Sequence, residues 1–111
     1  MGYMRHHAII VSSWDKKSIS LAHEKARELF FNLSDLIPSI ANGYQSFLIP
    51  PDGSKEGWEE SDKGDGQRAI FCDWLTTQVE DGAIFLSWVE IQYGDDNGDN
   101  CVLQSECRSR K

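Results

Sequence analysis

Residues 85–93 read FLSWVEIQY, and the way this stretch divides between two faces decides the architecture. Val89, Ile91 and Tyr93 fall on one side, and Trp88, Glu90 and Gln92 on the other. A period of two belongs to a β-strand with one packed face and one open face. The expectation is that the aliphatic side meets the core and that Trp88 stands on the sheet face away from any helix.

Working outward from this strand, residues 7–11 (HAIIV) carry aliphatics on both sides, as a central strand does. Ser13, Trp14 and Asp15 can cap a helix, and Ile19, Ala22, Ala26, Leu29, Phe30 and Leu33 then fit one helical stripe that ends before Pro38. Residues 34–43 form a connection expected to bury Leu36, Ile37 and Ile40. A strand over 44–49 (YQSFLI), the turn signal PPDG and a weaker return strand over 54–58 read as a hairpin. Residues 59–66 (EESDKGDG) are a charged approach to a second helix, whose stripe is Ile70, Phe71, Trp74, Leu75 and Gln78. A last short strand, residues 101–104, pairs back on the stretch at 85–93.

The expected fold is therefore α+β: a ferredoxin-like βαββαβ sandwich, two helices on one sheet face, with an extra C-terminal strand. A single domain spans residues 1–107, and the basic end 108–111 (RSRK) frays.

The 18 acidic residues outnumber the 11 basic ones and leave a net charge of -7. That sign repels a phosphate backbone and an anionic membrane surface and favours a protein partner with a basic surface. The three cysteines form no CxxC pair and no secretory signal is visible, so reduced thiols in a cytoplasmic protein are expected. The longest apolar runs, residues 83–86 among them, are far too short for a bilayer.

Each candidate chemistry meets an obstacle. From Asp95, the order Asp95, Asn97, Asp99 and Glu106 follows calcium-loop positions 1, 3, 5 and 12. Asn100 stands where that loop needs glycine, and strand-like runs flank it where helices belong, so Asp95 and Asp96 read as an acidic hairpin tip and no metal is expected. His6 and His7 are neighbours on a strand and point to opposite faces. Cys72 falls about 130° from the centre of its helix's apolar stripe, an unremarkable thiol. Residues 64–66 lack the Lys-Ser/Thr of a phosphate loop. No catalytic residue and no cofactor follow from these patterns.

Surface is what remains. Leu21 and Phe31 fall on the outward face of the first helix with Lys17, Glu24 and Glu28, and Tyr44, Trp58 and Trp88 are expected on the open sheet face. An aromatic open sheet suits RNA, but the flanking basic residues and the KGFGFV motif are missing. The candidate partner-binding residues are Leu21, Phe31, Trp58 and Trp88, with Glu59, Glu60, Asp95 and Asp96 as an acidic rim.

The segments RHHAIIVSSW, NGYQSFLIPPDGSKEGWEES and WVEIQYGDDNG resemble small uncharacterised accessory proteins encoded by bacteriophages and prophages. The resemblance implies a protein that binds and disables a host component, including parts of host defence, in the cytoplasm of a bacterial host. The first expectation is thus a non-enzymatic, homo-oligomeric inhibitor of a host protein. The second is a small-molecule binder, such as a sponge for a nucleotide signal, using aromatic stacking with Arg5 and Arg68. A small enzyme is third.

Overall fold

The computed structural model describes residues 6–53, 59–82, 84–94 and 101–105. Its elements are β1 (His6–Ser13), α1 (Lys16–Leu29), β2 (Ile37–Pro38), β3 (Gln45–Ile49), α2 (Glu59–Glu80), β4 (Ser87–Tyr93) and β5 (Cys101–Ser105). The strands form one five-stranded sheet in the order β2-β3-β1-β4-β5, every neighbouring pair antiparallel. Both helices cover the same face.

Local chemistry sets the joints. The Asp15 carboxylate accepts the Ser18 N–H at 3.2 Å and the Ser18 hydroxyl at 2.5 Å, capping α1 at its first turn. Ser18 Oγ in turn accepts the Phe85 N–H at 2.8 Å, which ties the start of α1 to the approach to β4. At the other end, the Phe30 N–H closes the helix on the Ala26 carbonyl at 2.8 Å. The core lies between the layers: Ile9, Val11, Phe47 and Ile49 from the sheet meet Ile19, Ala22, Ala26, Phe71 and Leu75 from the helices, all nearly solvent-free. Each of the large side chains among them stabilises the fold by about 1.5–3 kcal/mol through burial.

Three sequence expectations change. The hairpin partner of the YQSFLI strand lies before it. Asn42 (φ 64°) and Gly43 (φ 67°) are consecutive left-handed residues, the turn conformation that joins paired strands, and β2 precedes them. Ile37 and Ile40 are consequently exposed rather than buried, while Leu36 is half-buried against the core. The return strand expected over 54–58 lies outside the described residues.

The second helix starts at Glu59, so the stretch read as an approach loop forms its first turns. Glu59, Glu60 and Asp62 sit there against the positive end of the helix dipole. Its buried stripe is also rotated: Arg68, Phe71, Cys72 and Leu75 face inward and Ile70 outward.

Finally, β4 is inverted relative to expectation. Trp88 (3% exposed) and Glu90 (6% exposed) face the helices, whereas Val89 and Ile91 are half-buried on the open side. The physical reason lies in the partners that α2 brings to Glu90.

Candidate functional site

Arg68, on the third turn of α2, is the centre of a polar cluster. Its side chain is 6% exposed and its guanidinium is surrounded by carboxylates. Nε lies 3.7 Å from Glu90 Oε2 on β4, Nη1 lies 3.9 Å from Asp52 Oδ2 beyond β3, and Nη2 pairs with Asp65 one turn earlier on α2. The Cys72 thiol sits one turn further along α2 and points its Sγ at Glu90 Oε1, 3.8 Å away. Burial pushes this thiol far above its ordinary value, and the Glu90 carboxylate adds to the shift. It is therefore a protonated thiol that donates to Glu90, the opposite of an activated nucleophile.

Gly64 makes the Asp52 contact possible. A Cβ at this position would stand 2.5 Å from Asp52 Oδ2 and 3.1 Å from Arg68 Nη1. The glycine thus has a packing role on α2, which explains a residue that costs the helix about 1 kcal/mol relative to alanine.

His7 shares the helix-facing side of the sheet with Glu90. The register sets His7 opposite Gln92 and Ile9 opposite Glu90, which makes His7 and Glu90 diagonal neighbours. His6 is turned to the other face and packs on Tyr93, with ring centroids 5.2 Å apart. The two histidines diverge, as the strand period requires. Among the described residues no three His, Cys, Asp or Glu side chains converge as a metal site.

Beside Arg68 a cleft of about 270 Å3 opens between the end of α1, the end of β3 and the first turns of α2. Phe30, Phe31, Pro50 and Pro51 give it apolar walls; Asp52 and Glu60 supply carboxylates, and Lys63 a cation. Phe31 has no cover at all: its exposure is 107%. It lies two residues past Leu29, the last residue of α1, so it projects from the helix end and not from the helix's outward face.

The structure brings only some of the expected partner-binding residues together. Phe31 and Glu60 line the same cleft, with Glu59 exposed in the same turn of α2. Leu21 is exposed on the outer side of α1, away from the cleft lining. Trp88 is corrected outright: it belongs to the core, where its indole N–H has no hydrogen-bond partner among the described residues. Trp58, Asp95, Asp96 and Arg5, the calcium-like spacing from Asp95 to Glu106, and the tail 108–111 lie outside the described residues. Sequence reasoning missed Asp52, Glu90 and Cys72 as members of one cluster. The only available signal was Gly64, a helix glycine that no phosphate loop explained.

Arg68 was an expected phosphate contact, and its surroundings argue against that use. Three carboxylates already occupy its reach, so an anion would approach a site of net negative charge. No protein-family model matches the chain, and comparison with curated proteins and with solved structures finds no match. Among the described residues no helix is long and apolar enough to cross a membrane.

Proposed function

We propose that this chain is a non-enzymatic binding protein that acts by occupying a basic surface of a protein partner through the cleft beside Arg68. The observation that carries this reading is the combination of a fully exposed Phe31 with Phe30 and Pro50 in a cleft bordered by Asp52 and Glu60. An uncovered aromatic at the mouth of a concave apolar surface is the kind of anchor that interfaces bury. Within the cleft Asp52 and Glu60 balance Lys63 and Arg68; the exposed Glu59 and Asp62 in the first turn of α2 and the net charge of -7 steer a cationic partner toward it. The protonated Cys72 and the carboxylate-bound Arg68 supply neither a nucleophile nor an anion site.

The resemblance to phage and prophage accessory proteins supports a host protein as that partner, in the bacterial cytoplasm, with inhibition as the outcome. A split βαββαβ fold of the ferredoxin-like type fits the element order, with β5 added beside β4 at the sheet edge.

Affinity purification from a bacterial lysate tests the reading. The wild-type chain should retain a basic protein at low salt and lose part of it at moderate salt. Phe31→Ser and Glu60→Lys should each reduce recovery at least about tenfold. Recovery of no partner, or recovery unaffected by both substitutions, counts against it.

A further inference from the structure

The face of the sheet opposite the helices is apolar where an exposed antiparallel face ordinarily carries polar residues. Leu48, Ile10 and Val89 stand directly across from one another on β3, β1 and β4, and Ala8, Ile91 and Val102 form the next row on β1, β4 and β5. Ile10 (39%), Leu48 (38%) and Val102 (60%) are open to solvent, Val89 and Ile91 are half-buried, and Ala8 is buried. The row beyond Ile10 is neutral too: the Ser12 and Ser46 hydroxyls lie 2.7 Å apart and bond to each other. Among the described residues, no Asp, Glu, Lys or Arg belongs to the strand positions that line this face.

We propose that this face is the contact between two copies of the chain, packed sheet on sheet about a two-fold axis near Ile10. Charge selects the occupant. Nucleic acid and anionic membrane need cations that the face lacks, and a basic protein needs carboxylates that it also lacks. A second copy needs only a neutral, self-complementary surface. The carboxylates of α1 and α2 lie across the sheet from this face. In a face-to-face pair they are separated by two sheets and a gap of about 10 Å, beyond a Debye length of about 8 Å at physiological salt. Their mutual repulsion is then largely screened.

Area sets the strength of the pair. Strands of 8, 2, 5, 7 and 5 residues, spaced about 4.8 Å apart and rising about 3.4 Å per residue, cover on the order of 440 Å2 in projection per copy. Two such faces, roughly 880 Å2 in projection, sit at the small end of specific interfaces, so the pair is a weak one. Ile10 occupies the middle strand of the five, so an axis there lets each apolar row meet its own copy. The contact is separate from the Arg68 cleft, on the opposite side of the sheet, and stands or fails independently of the partner reading.

Sedimentation velocity on the full chain, over a concentration series, is the test. The expected result is a mass twice that of the chain. Ile10→Lys and Val89→Lys should each weaken self-association at least about tenfold, and Leu21→Lys, on α1, should leave it unchanged. Circular dichroism identifies a variant that has not folded, and the wild-type mass decides in any case. A wild-type monomer still present at about 100 μM overturns the proposal. So does a pair that persists in folded Ile10→Lys and Val89→Lys, since its contact then lies elsewhere, for example at the β5 edge.

Discussion

Arg68 Nε on α2 faces Glu90 Oε2 on β4 across 3.7 Å, and both side chains are less than a tenth exposed. This pair fixes which face of β4 turns inward. A carboxylate cannot be taken from water without a compensating charge or hydrogen bond, and here the guanidinium and the Cys72 thiol supply both. The Asp65 and Asp52 contacts of the same guanidinium are about half exposed and contribute far less.

Breaking the inner pair should therefore be costly and non-additive. Arg68→Ala is expected to lower unfolding stability by about 3–5 kcal/mol, because a buried carboxylate loses its cation. The double variant Arg68→Met/Glu90→Leu should recover more than half of that loss in urea denaturation. Simple additivity of the two single losses would show that the residues do not act as a pair.

At Gly64, two effects oppose each other. Gly64→Ala gains about 1 kcal/mol of helix propensity but forces the Asp52 carboxylate off Arg68 Nη1, leaving a near-neutral net change. Placed in an Asp52→Ala background, the same substitution should stabilise, by less than the full ~1 kcal/mol because Arg68 Nη1 still lies 3.1 Å from the new Cβ. Equal effects in both backgrounds would remove the packing role assigned to the glycine.

Alkaline pH should destabilise the fold through Cys72. Its thiol is held above the ordinary value of 9.0, so below that pH folded and unfolded chains are both protonated and the contribution is intact. Above it the unfolded chain releases a proton that the folded chain keeps, and stability falls by about 1.4 kcal/mol per pH unit. Urea midpoints at pH 8 and pH 10 for wild type and Cys72→Ala should differ in slope, with the variant losing this component. Parallel slopes would mean that the thiol is not shielded.

Trp88 and Phe31 were grouped as surface aromatics and should now separate. Trp88→Ala is expected to cost about 3–5 kcal/mol as a core truncation, whereas Phe31→Ala should stay within about 0.5 kcal/mol because nothing covers the ring. Thermal melts of the two variants give the answer directly.

Period and turn chemistry made the order of the elements readable. Asp15 marks the start of α1, and the two-sided aliphatic run of β1 and the alternation of β4 mark strands. On β4 and along the inner face of α2, what failed was side, not kind. Glu90 looks like a solvent residue until Arg68 is known to meet it, and nothing local in either segment records that encounter. Cys72 is set off the helix stripe for the same reason, since the aromatics Phe71 and Trp74 dominate any local average. Asn42-Gly43 reads in sequence as part of a connection after the first helix, because Pro38 suppresses the reading of a strand before it. The cleft was least legible, since three separate segments build its walls.

The brevity of β2 bears on how large an assembly can grow. Only two residues form this edge, and one is Pro38, which has no N–H to offer an incoming strand. A ribbon that lengthens without limit needs a usable edge at both ends of the sheet, and among the described residues this sheet has at most one, at β5. Edge-to-edge joining can then proceed only β5 to β5, a contact that is complete once two copies have met. The proline-bearing edge therefore blocks growth of one continuous sheet at that end, so edge pairing alone yields finite particles and not fibres.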